Sequence, residues 1–390
     1  TMEPPLGSGA YRVKIVRPGR SISYERVDDY WGKDLAVNKG KWNFDEIRFD
    51  TYRDTTVAFE SFKAGNLDYW TETSSKNWAM AYDFPAVRDG EVKREEITLN
   101  RGMPMQAFVL NLRRPQFQDR RVRHALNLAF DFEWANKNLF HSLFRRTQGY
   151  FDRSMLSAIG NPASTAEIAS LQAIGAQLPD NLLAGTFRMP ISDGSGRDRK
   201  LLRQSIKLLH EAGWKFADNQ LVNIESGAPF RFTLHTTTRE QERIGLHFQR
   251  SLRQIGITLD IRQIDSAQYQ RRLQTFDFDM LQFTWFNSLS PGNEQAFYWG
   301  SAARDQEGSR NYMGAASPQI DQTIDRLLTV TAHEDFIDTA RSLDRLLISG
   351  FYMVPLYHPP GQWLGRWSHI RHPKTPSLYG FHPSTAWYEK

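Results

Sequence analysis

A strand–helix–strand pattern constrains the fold of this chain more than any other feature of the sequence. The apolar segment Phe230–Leu234 is followed by an amphipathic segment that ends at Gly256, and Ile257–Ile261 then alternates apolar and polar residues. Thr238 and Gln241 have the spacing of a capping box, which predicts the start of the helix between the two strands. Because a connection of this length joins parallel strands, the pattern predicts an α/β sheet.

Further elements of the same kind flank this unit. A helix is predicted to begin at Asp198 and end at Gly213, and a strand is predicted to end at Trp285. Ser317 precedes Pro318, a pair typical of a helix start, and another helix is predicted over 334–348. The C-terminal half of the chain is therefore predicted to consist of a sheet covered by helices.

The first half of the chain is predicted to be more varied. Residues 7–100 have the pattern of sheet with one clear helix, which is capped by Asp54 or Thr55 and ends at Gly65. Residues 106–131 predict a strand and then two helices that begin at Asp119 and Asp131. Residues 150–197 are rich in Pro, Gly and Ser, so a long irregular connection is expected there.

Composition excludes several classes of protein. The chain has 390 residues, 40% of them hydrophobic and 24% charged, which is typical of a globular protein with more than one core. The net charge of +5 is spread over acids and bases, so no nucleic-acid partner is expected. No apolar run approaches the roughly eighteen residues of a membrane span, and there is no cysteine for disulfides or thiolate chemistry.

Motifs of catalysis are absent from the sequence. It has no G-x-S-x-G, H-E-x-x-H, Walker loop or dinucleotide-binding glycine pattern. Asp277 and Asp279 alternate on a predicted strand, as paired glycosidase carboxylates can, but nothing else accompanies them. The ten histidines lack the spacing of metal ligands, so neither an enzyme nor a metal or cofactor site is predicted.

The segment Gln106–Asp131 resembles the extracellular solute-binding proteins of family 5, the peptide-capturing subunits of ABC importers. Shorter segments whose sequences also resemble the family occur in the same order as in its members. The resemblance extends over essentially all of the chain. The shorter segments include Gly7–Tyr11, Asp29–Trp31, Gly65–Asp68 and the stretch that ends at Asp265.

The resemblance implies a type II periplasmic-binding-protein fold, in which two α/β lobes joined by a hinge enclose a ligand. Residues 1–105 are assigned to the first lobe, 106–362 to the second, and 363–390 to a return to the first. Family members carry many further residues before the segment that matches Gly7–Tyr11. The N-terminal part of the first lobe is therefore expected to be missing here, either because the chain is a cut fragment or because the missing segment is a separate fragment that acts as a partner.

The function implied by the family is capture of a peptide or peptide conjugate in the periplasm and delivery to an inner-membrane ABC permease. Hinge closure over an unaltered ligand would be the mechanism. The sequence Ser-Pro-Gly-Asn-Glu-Gln at Ser290–Gln295 resembles that of the branch that handles peptidyl-nucleotide antibiotics and murein peptides. A sugar, an opine or a metal chelate as ligand, or a non-transport role as an envelope chaperone, is the alternative.

The loop after Trp285 is the main candidate binding site, because ligands bind beyond the carboxyl ends of parallel strands. In peptide-binding relatives an Asp holds the ligand ammonium at the position of Ser288, and a neutral hydroxyl cannot replace its charge. A purely structural role is the alternative for the loop, for the strand Gln106–Asn111 and for Arg310–Tyr312. The predicted ligand-binding residues are Gln106, Phe108, Asn111, Trp285, Asn287, Ser288, Asn293, Arg310, Asn311 and Tyr357.

Overall fold

Residues 4–389, the part of the chain that the computed structural model describes, contain both helices and strands. The strands are β1 (Tyr11–Arg17), β2 (Ser21–Arg26), β3 (Glu46–Asp50), β4 (Tyr69–Glu72), β5 (Val92–Ile97), β6 (Met105–Leu110), β7 (Arg145–Arg146), β8 (Trp214–Ala217), β9 (Gln220–Asn223), β10 (Arg231–Thr236), β11 (Thr258–Gln263), β12 (Met280–Trp285), β13 (Met353–Pro355), β14 (Tyr357–His358), β15 (Gln362–Trp367), β16 (Ile370–Arg371) and β17 (Trp387–Tyr388). The α-helices are α1 (Thr55–Lys63), α2 (Ser75–Met80), α3 (Pro85–Arg88), α4 (Arg120–Ala129), α5 (Phe132–Leu139), α6 (Thr165–Ala173), α7 (Asp180–Leu183), α8 (Arg199–Glu211), α9 (Arg239–Arg253), α10 (Ser266–Thr275), α11 (Glu294–Trp299), α12 (Pro318–Thr329) and α13 (His333–Gly350).

The chain divides into two compact units. The first contains the chain up to Asn100 and again from Pro360, and the second contains Arg101–Pro359. The boundaries predicted from the sequence, at 106 and 362, lie a few residues later. Met103 explains the earlier start of the second unit, because its side chain is buried and its N–H donates to the carbonyl of Asp152 at 2.8 Å.

A five-stranded mixed sheet forms the centre of the second unit, in the order β11-β10-β12-β6-β13. β10 pairs in parallel with β11 and with β12, which confirms the predicted crossover through α9. β6 pairs antiparallel with β12 on one side and with β13 on the other. The sheet therefore joins strands that are far apart in the sequence.

Both faces of β6, an interior strand of this sheet, are covered. Met105, Ala107 and Val109 belong to a large apolar core that also contains Trp285. The neighbouring residue Phe108 points to the opposite face and stacks on Phe248 of α9 at 5.8 Å between ring centroids. Successive side chains of a strand alternate between its faces, so coverage on both sides buries every side chain of β6 except that of Gln106, which is half-buried.

Polar caps fix the starts of the helices, as the sequence predicted. The side chain of Asp119 accepts a hydrogen bond from the first turn of α4, and that of Asp131 does so in α5. Thr238 and Ser317 cap α9 and α12 in the same way. Each cap satisfies amide groups that have no partner within the helix, so local sequence determines where these helices begin.

The first unit contains two three-stranded antiparallel sheets, in the orders β1-β2-β3 and β4-β15-β5. β1 pairs antiparallel with β2, in agreement with the sheet pattern predicted for residues 7–100. β15 lies between β4 and β5 and supplies Leu364 to a small core with Ile97, Ile370, Phe381 and Ala386.

Two sequence predictions about secondary structure were wrong. The stretch 150–197, predicted to be irregular, contains α6 and the short helix α7. Residues 7–100 contain α2 and α3 in addition to the one predicted helix. These helices are short and lack a strong amphipathic repeat, so their contacts with the rest of the unit stabilise them more than their own sequence does.

Helices of membrane-spanning length and apolarity do not occur among residues 4–389. In the same residues, no group of three or more His, Cys, Asp or Glu side chains has the arrangement of a metal site.

Candidate ligand-binding site

The loop that follows β12 is partly open to solvent and is held by its own hydrogen bonds. The Asn287 amide donates to the carbonyl of Tyr150 at 2.9 Å, and the hydroxyl of Ser288 accepts from the N–H of Ser290 at 3.1 Å. Ser288 is exposed, and the ring of Phe286 is 62% exposed. The loop therefore has a fixed backbone and presents an apolar ring and a hydroxyl to solvent.

Helix α11 is tied to this loop by a chain of amides. Gln295 is buried, donates to Oδ1 of Asn287 at 3.1 Å, and accepts from the indole N–H of Trp299 at 2.8 Å. Asn293 is exposed at the start of α11 and its side chain makes no capping bond. The loop and α11 thus form one connected support.

Trp285 is an interior residue of the second unit. Only 1% of it is exposed, and its ring packs against those of Phe283, Trp299 and Tyr312 at centroid distances of 4.7, 5.2 and 5.9 Å. A ligand could reach this ring only if the aromatic cluster opened. Ligand contact by Trp285 stays a prediction, and its evident role here is to pack beneath the loop.

Phe108 and Asn111, predicted to line the ligand, are also buried inside the second unit. Phe108 packs against Phe248 of α9 and against Phe130, which lies between α4 and α5 in the sequence. The amide of Asn111 donates to the carbonyls of Phe276 and Phe278 at 2.9 and 2.7 Å. Their polar and apolar groups are already matched within the protein, so the alternative of a buried strand describes them better.

Asn311 and Tyr357 make internal contacts of the same kind. Asn311 donates to the carbonyls of Gly300 and Ala315, both at 2.9 Å, and so stabilises its loop. The Tyr357 hydroxyl donates to Glu240 at 3.1 Å, and burial raises the pKa of this hydroxyl well above its ordinary value. Both side chains are buried and hydrogen-bonded, which favours the structural interpretation.

Gln106 is neither fully buried nor fully exposed. It is half-buried and faces Thr284 across the β6–β12 pair, and its carbonyl accepts from the N–H of Leu356 at 2.8 Å. Its binding role stays a prediction.

A pocket of about 300 Å³ opens beside Arg310, between α10, β12 and α11. The main chain of Arg310 is held by a hydrogen bond from its N–H to the carbonyl of Phe297 at 3.3 Å. Its exposed guanidinium donates to the hydroxyl of Tyr298 at 3.4 Å. The pocket is lined by Gln270, Gln274, Phe283, Phe297, Gly308, Ser309, Arg310 and Tyr312.

The chemistry of this pocket suits an anionic group with polar neighbours. Among residues 4–389 no carboxylate forms an ion pair with Arg310, so its charge is available to a ligand. Burial raises the pKa of the Tyr312 hydroxyl, against the opposing effect of Arg310, so this hydroxyl is neutral at physiological pH. A guanidinium and side-chain amides together can bind a carboxylate, and the adjacent rings can cover an apolar part of the ligand.

The pocket brings together residues that sequence reasoning did not connect. Only Arg310 was predicted, whereas Gln270 and Gln274 were missed. These two glutamines are four residues apart on α10 and therefore lie on one helix face, next to Arg310 from a distant loop. Spacing shows that the glutamines share a face, but it does not show what that face borders.

A buried carboxylate lies behind the loop. Asp344 accepts hydrogen bonds from the N–H groups of Tyr150 and Ala158 at 2.7 and 2.8 Å, and the carbonyl of Tyr150 holds Asn287. Burial raises the pKa of Asp344 to about 7, because loss of hydration outweighs these donors, and nearby Asp152 raises it further. The loop is thus supported by a group that titrates near neutrality.

This carboxylate is expected to make stability depend on pH. Unfolded, Asp344 has a pKa near 3.9, so between about pH 4 and 7 the folded protein holds a proton that the unfolded chain releases. Its contribution to the free energy of unfolding is complete below pH 4 and is lost as pH rises through 7. Urea unfolding measures the free energy of unfolding at pH 5 and at pH 8. Between these two pH values it should decrease more for the wild type than for Asp344→Asn. The exposed Asp325→Asn serves as the control, and an unchanged slope in Asp344→Asn would contradict the assignment.

Comparison with known proteins decides the family. Residues 1–307 match the profile of the bacterial extracellular solute-binding proteins, family 5 Middle. The chain belongs to this family. The resemblance seen in the sequence is therefore confirmed, and family 5 consists of binding proteins.

Two curated proteins are similar to this chain over all or nearly all of its length. A Brucella suis protein described as a binding protein is 47% identical over 390 residues, which are 100% of this chain and 63% of that protein. The peptidoglycan-binding protein YepA of Agrobacterium fabrum is 41% identical, over 98% of this chain and 63% of its own length. The chain thus spans less than two thirds of the curated relatives that it matches.

Solved structures confirm the predicted periplasmic-binding-protein fold. The oligopeptide-binding protein AppA from Bacillus subtilis, in complex with a nonapeptide, superposes with a TM-score of 0.69 at 18% identity. The match covers 98% of this chain and 66% of AppA. At this identity the likeness shows the fold and leaves the ligand open.

Proposed function

We propose that the protein captures a peptide or peptide conjugate in the periplasm and delivers it to an inner-membrane ABC permease. Membership of family 5 supports a binding role, and two similar proteins bind a nonapeptide and peptidoglycan by their descriptions. The observation that carries the proposal is the guanidinium of Arg310, which has no carboxylate partner among residues 4–389, at a pocket lined by side-chain amides and aromatic rings. The ligand leaves chemically unaltered, so no residue is assigned a catalytic role.

The charged end that this protein recognises is a carboxylate. Ser288 stands where peptide-binding relatives place the Asp that holds an ammonium group, and its hydroxyl is already engaged with the N–H of Ser290. The opposite charge is provided by Arg310, which can bond a carboxylate with two parallel N–H groups. A peptide C-terminus, or the free carboxylate of a modified peptide, meets this requirement.

Identification of the natural ligand is the first test. The protein is purified without denaturation, and the small molecules that it retains are identified by mass spectrometry. Peptides or peptide conjugates are expected. A sugar, an opine or a metal chelate would replace the proposed ligand class. An empty protein that binds none of these but suppresses aggregation of unfolded envelope proteins would indicate the chaperone role.

Substitution of Arg310 tests the carboxylate contact. Arg310→Gln should weaken binding of the retained peptide about 10- to 100-fold, because a charge-assisted hydrogen bond contributes roughly 1.5–3 kcal/mol. Amidation of the peptide C-terminus should weaken binding by the wild type by a similar factor. Isothermal titration calorimetry measures all four combinations of protein and peptide.

The two changes are expected to be non-additive. Once Arg310 is replaced, amidation should have little further effect, since both changes remove the same contact. Arg271→Gln is the matched control, because Arg271 is exposed on the same helix as Gln270 and does not line the pocket. Equal losses in the two variants, or fully additive losses, would show that Arg310 does not bind the carboxylate.

A further inference from the structure

The segment through which the chain enters the second unit is attached to a turn at Asp152. Arg101 is the first residue of this unit, and the N–H of Met103 donates to the carbonyl of Asp152 at 2.8 Å. A Cβ atom at Gly102 would lie 3.3 Å from Cβ of Ser154, so there is little room between the two stretches of chain. Residues 101–103, the entry segment, are therefore fixed against this turn.

The segment through which the chain leaves the second unit is attached to the same turn by His358. Pro359 is the last residue of the unit, and its carbonyl accepts a hydrogen bond from Nδ1 of His358 at 2.8 Å. Nε2 of His358 lies 3.4 Å from a carboxylate oxygen of Asp152, and the two side chains are only 2% and 8% exposed. Residues 358–359, the exit segment, and the entry segment therefore both depend on Asp152.

The contact between His358 and Asp152 requires a proton between Nε2 and the carboxylate. Nδ1 carries a hydrogen, because the carbonyl that it faces can only accept. Without a second proton, Nε2 would direct a lone pair at a carboxylate oxygen in a buried site, and with that proton the two groups attract each other. Histidine is the side chain that changes charge between about pH 5 and 8. The contact is therefore stronger at the acidic end of this range.

A second buried acid holds the same stretch of chain. Asp344 of α13 accepts from the N–H groups of Tyr150 and Ala158, which lie on either side of Asp152 in the sequence. Burial, with a smaller contribution from the charge of Asp152, raises the pKa of Asp344 to about 7. A local opening that hydrates this carboxylate returns its pKa towards about 3.9. A bound proton therefore favours the closed form below pH 7, and this advantage is lost as pH rises through 7.

The other ionisable groups of the neighbouring elements do not oppose this response. The hydroxyl of Tyr150 is neutral, because burial raises its pKa well above the ordinary value. The arginines on α13, on β7 and in the turn at Asp152 are each exposed or bonded to another group. They are Arg145, Arg146, Arg153, Arg341 and Arg345. The response to pH is thus set by the cluster of His358, Asp152 and Asp344.

Tyr150 connects this cluster to the candidate binding loop. Its N–H donates to Asp344, and its carbonyl accepts from the Asn287 amide in the loop after β12. Both bonds use the main chain of one residue, so a displacement of Tyr150 weakens the hold on the loop as well. The cluster is therefore linked to the entry segment, the exit segment and the loop.

We infer that His358, Asp152 and Asp344 form a pH-sensitive switch that holds the entry segment, the exit segment and the loop after β12. At acidic pH the switch is protonated and holds all three. As pH rises through neutrality the protons leave, the buried charges of Asp152 and Asp344 repel each other, and local opening becomes easier. A permanent structural ion pair is the alternative, and it would make opening independent of these protons. The switch needs no ligand, so it goes beyond the proposed function.

Amide hydrogen exchange of the whole chain at pH 6 and pH 8 tests the switch. Exchange rates are corrected for the intrinsic effect of pH, and the protection factors of Met103 and Tyr150 are compared. In the wild type both should fall at least tenfold between pH 6 and pH 8. The reason is that release of one linked proton changes an opening equilibrium by up to about tenfold per pH unit.

Substitution of the histidine separates the switch from other effects of pH. In His358→Gln the fall at Met103 should be at least threefold smaller, since glutamine has no proton to lose. His333→Gln is the matched control, because His333 is exposed on α13, and it should behave as the wild type does. Asp152→Asn is the second variant if His358→Gln does not fold. The same reduction is expected there, because the amide has no charge to attract a proton.

Three outcomes would overturn the inference. They are a protection factor of Met103 that is equal at pH 6 and pH 8, an unchanged pH dependence in folded His358→Gln or Asp152→Asn, and a reduction of the same size in His333→Gln. The measurement uses no peptide, so its failure leaves the proposed function standing. Failure of the Arg310 calorimetry likewise leaves the switch standing.

Discussion

Replacing Arg345 by methionine is expected to lower the free energy of unfolding of the second unit by about 3–5 kcal/mol. The side chains of Arg345 and Glu167 are both 0% exposed, and their N–O distance is 2.6 Å. Arg345 also donates to the carbonyls of Asn161, at 2.6 Å, and Leu182. Methionine fills a similar volume, but it leaves the Glu167 carboxylate buried without a positive partner. Urea unfolding measured by circular dichroism gives the change.

Two further variants define the origin of this loss. Arg231→Met removes an ion pair with Asp260 of similar length at an exposed position, and a much smaller change is expected. Glu167→Gln combined with Arg345→Met should recover part of the loss, because the uncompensated charge is then gone. A loss in the double variant equal to the sum of the single ones would show that burial of the charge is not the cause.

Trp285→Ala is expected to destabilise the second unit by about 3–5 kcal/mol, the usual range for loss of a buried tryptophan. The ring packs among Phe283, Trp299 and Tyr312, and its removal leaves a cavity beneath the loop after β12. Thermal and urea unfolding measure the effect. Ligand affinity should fall as well, as a consequence of a disordered support.

The neighbouring residue separates packing from ligand contact. Phe286→Ala should change stability by less than about 0.5 kcal/mol, because its ring is 62% exposed. If Trp285→Ala leaves stability intact and still abolishes peptide binding, the ring contacts ligand directly, and the packing interpretation is wrong.

Local signals in the sequence predicted the helix starts well. Asp119, Asp131, Thr238 and Ser317 were identified as caps, and each accepts the expected hydrogen bond. The parallel crossover through α9 followed from its length alone. Helix caps and short crossovers depend on residues that are close together along the chain, so one sequence is enough to predict them.

Long-range pairing could not be obtained in this way. β6 lies between β12 and β13, and Val109 faces both Leu281 and Met353 across the sheet. These partners are far apart along the chain, and nothing local distinguishes them from other apolar segments.

The candidate site was predicted only in part for a related reason. Phe108, Asn111, Asn311 and Tyr357 have the residue types of a ligand site, but residue type does not show whether a side chain's partners are internal. The exposed Ser288, Asn293 and Arg310 are the predicted residues that remain free to meet a ligand. Their neighbours Gln270 and Gln274 come from α10, and only the fold brings them to Arg310.

The order of strands in the first unit has a consequence for synthesis on the ribosome. The middle strand of the sheet β4-β15-β5 is the one made last, since β15 ends at Trp367. β4 and β5 therefore emerge without the strand that joins them and wait while the whole of Arg101–Pro359 is translated. We expect the inserted unit to mature first in the nascent chain, and the surrounding unit to remain open to chaperones until β15 has been translated.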